Sequence, residues 1–277
     1  MVKLSKAVAP LIHEVKVVDE QGREKLIHVP GERPLTIYLD KKELVTLMTL
    51  GGAPEALILG YLRNQRLVPS IDFIESIQVD WETESAAVTT KGNTVDIEEK
   101  TSRRVVTTGC GQGTIFGGIM DDIDSIQLSN KAEITKPAIY EIVDHIRTKS
   151  SIYKQAGSVH ACAVFKNNGQ SVELLHFIED VGRHNAVDSI AGLMWLDEQS
   201  GEDLIFYTTG RLTSEMVIKG AQMGIPFLLS RSGVTAMGLE MANKVNMTLF
   251  GRCSGQHYLI YSGVNRVNTK DVNVHTA

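Results

Sequence analysis

The 277-residue chain contains no apolar run approaching the ~20 residues that a membrane-spanning helix requires. Its first residues, MVKLSKAVAPLIHEV, lack the continuous apolar core that marks a secretory signal. These absences predict a soluble chain that works in the cytoplasm, without a membrane partner. Positive charge is not in excess either. With 28 Lys and Arg against 33 Asp and Glu, the formal net charge is −5, so there is no electrostatic footprint for wrapping nucleic acid and basic groups must act locally. Cysteine is scarce. Cys110, Cys162 and Cys253 are odd in number and far apart, which fits neither a secreted disulfide framework nor the paired spacing of a metal site. Internal repeats, low-complexity tracts and charge blocks are also missing. What remains is a chain with 43% hydrophobic residues, long enough to bury the core of one large or two modest domains.

The period of the hydrophobic pattern changes along the chain. From about 14 to 106 short alternating segments (EVKVV, KLIHV, LTIYL, VTLMTL, IESIQV, AAVTT, TVDIEE, RRVVTT) predict strands, with one helix from about Pro54 to Gln65. The segment TTGCGQGTIFGGIM has five glycines between Gly109 and Gly118, which predicts a flexible loop that carries Cys110. From Lys136 onward strands and helices alternate: KPAIYEIVDHIRTK opens with a proline suited to a first helical turn, and VHACAVF, VELLHFI, DLIFYTT, PFLLS, MTLFG and HYLIYS read as strands. Between them HNAVDSIAGLMWLDEQ, SEMVIKGAQMG and TAMGLEMANKV read as helices. Strand, helix, strand, helix, strand predicts an α/β layer with parallel neighbours. The polar stretch LSNKAEITKP suggests a boundary near Asn130, giving a β-rich part over 1–130 and an α/β domain over 131–277.

Three strand-to-helix junctions in the second half each hold an arginine: EDVGRHN with Arg183 and His184, TTGRLTSE with Arg211, and SRSGVT with Arg231 and Ser232. In an open α/β sheet such junctions gather at the carboxyl ends of the strands, where helix N-termini favour phosphate. The arginines can equally pair with Glu179, Asp180 and Glu215 and merely cap the helices, and both readings stand on sequence alone. A fourth loop, GRCSGQH, offers Arg252, Ser254, Gln256 and His257 as polar contacts beside Gly251 and Gly255, although a plain hairpin turn would look much the same.

Cys110 is the best candidate nucleophile, because an exposed glycine-rich loop permits the thiolate form, whereas Cys162 falls in a strand of core character. Cys253 is either a filler or a second functional thiol. The segment VHACA shares the histidine of the zinc-deaminase pattern, but Cys162 stands at the acid position and no P-C-x-x-C follows. Without that glutamate and paired thiolates, zinc chemistry is not expected at His160.

Taken together, EDVGRHNAVDSIAG, TTGR, GIPFLLSRSGVTAMGLEMA and TLFGRCSGQHYLIYSG resemble, in order and spacing, the successive blocks of the formate dehydrogenase accessory sulfurtransferases (FdhD type). The likeness spans roughly residues 105 to 262, and PEALILGYL resembles the family's N-terminal helix. The resemblance implies an α/β protein (α+β overall), with a cytidine deaminase-like three-layer C-terminal domain and a smaller β-rich N-terminal domain, acting as a homodimer. It implies a sulfurtransferase that takes persulfide sulfur from a cysteine desulfurase. The sulfur passes to the molybdenum, or tungsten, bis(molybdopterin guanine dinucleotide) cofactor of formate dehydrogenase, and GDP would serve as an analogue of that ligand. Cys110 falls on the first cysteine of the family's C-x-x-C loop, the persulfide carrier, while Gly113 replaces the second. One thiolate suffices for the transfer itself, but the lost partner leaves open an alternative, a cofactor-binding chaperone without sulfur transfer. The resemblance also places Arg252, Cys253, Ser254, Gly255, Gln256 and His257 on the cofactor-binding loop, with Ser254 where the family commonly has arginine.

Overall fold

The computed structural model describes residues 2–92, 123 and 126–268. Cys110, Gly113 and the strands expected over TVDIEE and RRVVTT lie outside the described residues. In chain order the first elements are β1 (Lys3–Leu4), β2 (Ile12–Val18), β3 (Glu24–Pro30), β4 (Arg33–Leu39), β5 (Lys42–Thr49), α1 (Pro54–Asn64), β6 (Ile74–Asp80) and β7 (Ser85–Thr90). They are followed by β8 (Ile134–Thr135), α2 (Lys136–Thr148), α3 (Ile152–Ala156), β9 (His160–Asn167), β10 (Val172–Asp180), α4 (Arg183–Leu196) and β11 (Leu204–Thr208). The last are α5 (Ser214–Gln222), β12 (Phe227–Ser230), α6 (Ala236–Lys244), β13 (Thr248–Ser254), β14 (His257–Ile260) and β15 (Val267–Asn268). The protein is thus a mixed α/β structure with several sheets and, among the described residues, six helices.

Contacts group the chain into two units that do not meet at a single boundary near 130. Unit one is Met1–Asp121 with Ser150–Cys162 and Phe177–Gln199; unit two is Asp122–Lys149, Ala163–His176 and Ser200–Ala277. Two stretches from the second half of the sequence therefore belong with the first. The reason is visible in unit one's packing. Its five-stranded sheet, in the order β1-β6-β7-β4-β5, alternates inward Leu35, Ile37 and Leu39 with half-buried neighbours along β4. This inner face joins Leu57 and Leu62 of α1 in one apolar cluster. α1 is buried nearly all round, so it also needs a partner on its other side, and α4 supplies it. The two backbones touch: a Cβ at Gly60 would overlap the Asp188 carbonyl, and one at Gly192 the Ala56 carbonyl. Asn64 Nδ2 donates to Asp188 Oδ1 at 2.7 Å and Arg63 Nη1 to the Ala191 carbonyl at 3.0 Å, which adds polar links along the same seam. β2 and β3 form a separate antiparallel hairpin, paired from Ile12 with Pro30 to Val18 with Glu24.

Unit two is built on the six-stranded sheet ordered β10-β9-β11-β12-β13-β14, whose first two strands have their outer ends grouped with unit one. β11, β12 and β13 are parallel neighbours and β14 returns antiparallel to β13. This is the layer expected from the strand–helix alternation, with α5 and α6 as the connections. The strands are continuous apolar runs because both faces are covered: Phe206, Phe227 and Phe250 are fully buried. No helix among the described residues is long and apolar enough to cross a membrane.

Candidate ligand-binding site

Because β11, β12 and β13 run parallel, their carboxyl ends share one edge of unit two. Backbone and hydroxyl hydrogen bonds stitch the turns there together before any ligand arrives. Arg231 N donates to the Thr208 carbonyl at 3.1 Å, Leu212 N to the Gly233 carbonyl at 2.9 Å, and Thr235 N to the Leu212 carbonyl at 3.0 Å. Ser230 Oγ donates to the Gly210 carbonyl at 2.6 Å and accepts from Ser232 N at 2.9 Å. Such turns hold their backbone fixed and leave long side chains outside; Arg211 and Arg231 are both exposed, and Ser232 is half-buried. Arg211 makes no ion pair among the described residues. Thr235 caps α6 by accepting from Gly238 N at 3.1 Å, whereas Thr213 makes no side-chain cap at α5. The first turn of α5 is left for other acceptors.

The GRCSGQH loop divides its residues between two directions. A register shift lies between Gly251 and Ser254, and Arg252 adopts a left-handed φ of 58°. Arg252 N donates to the Ser232 carbonyl at 2.8 Å. A Cβ placed at Gly233 would lie 3.9 Å from Arg252 Nη2, so this guanidinium rests against the β12–α6 turn. Arg252 therefore joins Arg231 and Ser232. Along the strand Arg252 and Ser254 face outward while Cys253 faces the core. Gly255 and Gln256 instead border a hollow on the α2 side, lined also by Tyr140, Glu141, Asp144 and Arg147. Its carboxylates disfavour a phosphate. His257, opposite Ser254, is exposed.

Arg183 and His184 open α4 in unit one. Two of the acids that sequence offered as partners for the arginines, Asp180 and Glu179, are engaged by other donors. Asp180 accepts from Thr49 Oγ1 at 2.6 Å, Leu50 N at 3.0 Å, Gly182 N at 2.9 Å and Asn185 Nδ2 at 2.8 Å. Burial pushes its carboxyl upward and these four donors pull it back. Glu179 accepts from the backbone N–H groups of Ile152 at 2.6 Å and Tyr153 at 3.1 Å, and Glu215 lies 3.8 Å from Lys219. Arg183 makes no ion pair among the described residues. With His184 it lines a hollow of about 160 Å³ that takes in His160 and Glu32. His160 reads from sequence only as part of an incomplete deaminase pattern. The short connection from Asn167 to Val172, taken as a hairpin, would have placed it beside the far end of β10.

Cys162 is completely buried in β9, as its apolar strand requires. Cys253 is also completely buried, and loss of water pushes its thiol up to about 12. Burial favours the neutral thiol and turns it toward the core. Among the described residues no three His, Cys, Asp or Glu side chains gather as metal ligands.

The FdhD/NarQ family model matches residues 30–268. The sulfur carrier protein FdhD of Listeria monocytogenes serotype 4b is 30% identical over 241 residues, covering 86% of this chain and 91% of the relative. The protein of the same name from Saccharolobus solfataricus is 30% identical, with 91% and 96% covered. A crystal structure of a formate dehydrogenase accessory protein from Desulfotalea psychrophila superposes with a TM-score of 0.73 at 26% identity, covering 94% of this chain and 100% of that one. With the family pattern running through nearly all of both units, the chain belongs to the FdhD/NarQ family.

Proposed function

We propose that this chain is a sulfur carrier that holds sulfur as a persulfide on Cys110 and passes it to a molybdenum bis(guanine dinucleotide) cofactor destined for formate dehydrogenase. The observation that carries this reading is the burial of the other two thiols. Cys162 and Cys253 are both fully enclosed, which leaves Cys110 as the thiol for exchange with a partner. The relatives' name, sulfur carrier protein, supports the same assignment. In the loading step the Cys110 thiolate attacks the terminal sulfur of a cysteine desulfurase persulfide. The donor's S–S bond breaks and its cysteine leaves as thiolate, with no net oxidant. Delivery breaks the new S–S bond, returns the Cys110 thiolate, and converts the sulfur to sulfide with two electrons from the accepting metal.

The nucleotide end of the cofactor is proposed to lie on unit two's strand edge, where Arg211, Arg231, Ser232 and Arg252 offer donors suited to diphosphate. Ser254 and His257 flank that edge, and in unit one Arg183 and His184 are proposed separately as ligand-binding residues. GDP is the analogue to use. The six-stranded sheet is read as the frame of a cytidine deaminase-like layer, and the working form as a cytoplasmic homodimer. A second reading, a cofactor chaperone without sulfur chemistry, is favoured by Gly113 in place of a second loop cysteine. Complementation separates the two. In cells lacking their own accessory protein, Cys110→Ala is expected to abolish formate dehydrogenase activity while Cys253→Ala keeps most of it. An active Cys110→Ala protein would establish the chaperone reading.

A further inference from the structure

β2 and β3 form a sheet of their own, paired over seven residues without a register shift. At its two ends Asp19 N donates to the Arg23 carbonyl at 3.0 Å and Gly31 N to the Leu11 carbonyl at 2.8 Å. Bonded and non-bonded pairs alternate along an antiparallel ladder, so the odd-numbered residues bond across the hairpin. The N–H and C=O groups of Ile12, Glu14, Lys16 and Val18 therefore point away from β3. None of the four joins a backbone–backbone hydrogen bond elsewhere among the described residues.

The outer edge of β3 is less open, because Pro30 has no N–H to offer and α3 packs beside that strand. β2 has neither protection. It holds no proline and no bulge, four of its seven residues are β-branched, and Val18 at its end is 64% exposed. A straight, unpaired edge of this kind is a template for another strand.

Its sequence decides which strand fits. Read outward from Val15, IHEVKVV carries opposite charges at equal distances, Glu14 and Lys16, and then apolar side chains at Ile12 and Val18. Laid antiparallel on a second copy about a two-fold axis through Val15, Glu14 meets Lys16, Ile12 meets Val18 and Val15 meets Val15. All the outward-pointing residues then oppose one another, so their N–H and C=O groups find complements. The nearest alternatives that keep those groups facing move the axis to Glu14 or Lys16, and each sets like charges against one another. A parallel, in-register pairing sets both charges against their like. Lys16 already draws Glu24 at 2.6 Å across the hairpin, and Glu14 of the second copy would bring a second carboxylate to the same lysine.

We infer that the β2 edge is an interface between copies of this chain, closed by antiparallel β2–β2 pairing about Val15. This rests on the homodimer reading above and names the surface that the reading leaves open.

Analytical ultracentrifugation of the full chain and two charge variants tests it. Glu14→Lys places a lysine opposite Lys16, and Lys16→Glu places a glutamate opposite Glu14, so each variant alone should associate at least ~10-fold more weakly than the wild type. Mixed in equal amounts, the two variants should recover association to within ~3-fold of the wild type, because each lysine of one then faces a glutamate of the other. That recovery cannot come from misfolded chains. Wild-type dimers that neither variant weakens would overturn the β2 interface and leave the homodimer reading standing. Variants weakened alone and not restored by mixing would overturn it as well, and a monomeric wild type would overturn both. Sulfur loading of Cys110 is measured separately, so failure of the interface and failure of the sulfur-carrier reading are told apart.

Discussion

Unit one and unit two both present arginine at a strand-to-helix junction, yet the two junctions are built differently. In unit two the turns after β11 and β12 are joined mainly by backbone groups, and Arg211, Arg231 and Arg252 project from an exposed edge. In unit one the turn after β10 is organised by a single buried carboxylate, Asp180, which gathers donors from Thr49, Leu50, Gly182 and Asn185. The neighbouring Arg183 then lines a small hollow. The same short pattern thus gives a turn held by backbone groups in unit two and a turn held by a buried side chain in unit one.

That contrast can be broken most directly through stability. Asp180→Ala should cost at least ~3 kcal/mol in urea unfolding, because it removes the acceptor shared by Thr49, Leu50, Gly182 and Asn185 and leaves the first two buried without one. Ser230→Ala, which removes one bridging hydroxyl from unit two's edge, should cost ~1 kcal/mol. Equal losses would erase the distinction between a side-chain node and a backbone scaffold. Ligand binding sharpens it next. Arg252→Ala should weaken GDP about tenfold by calorimetry, as expected for a charge-assisted bond, whereas Gln256→Ala, facing the carboxylate-lined hollow, should change it less than ~3-fold.

The smallest effect concerns Cys253. With its thiol pushed up to about 12 from an ordinary 9.0, the thiolate fraction at pH 8 is about a thousandfold below that of an exposed cysteine. Iodoacetamide should therefore spare Cys253 in the native protein and label it in denaturant. The stability linked to this buried neutral thiol is intact below pH 9.0 and is lost as pH rises toward about 12, since the unfolded thiol ionises first. Rapid native labelling at pH 8 would place Cys253 back among the reactive thiols.

The parallel layer of unit two was legible in sequence because each strand is a short apolar run closed by a turn and followed by a helix of period 3.6. The positions of Arg211 and Arg231 followed from that layer. The interleaving of the units did not, because it depends on α1 being buried on every side and on Gly60 and Gly192 letting two distant helices touch. Cys253 was ambiguous for a local reason: a shift between Gly251 and Ser254 decides which side chains of the GRCSGQH loop face inward. Asp180 looked like an arginine partner because charge is visible in sequence, whereas the hydroxyl, amide and backbone donors that engage it come from Thr49, Leu50 and Asn185 as well as the adjacent Gly182. His160 carried too little signal by itself, since its neighbours in space arrive from β5 and α4.

The central claim is that Cys110 carries the sulfur, and mass spectrometry of the intact protein after incubation with a cysteine desulfurase and cysteine tests it most directly. The wild type should gain the mass of one sulfur atom, reversible by a reducing thiol and located on the Cys110 peptide, while Cys110→Ala gains none and Cys253→Ala behaves as wild type. An unmodified wild type, or sulfur found on Cys110→Ala, would contradict the account.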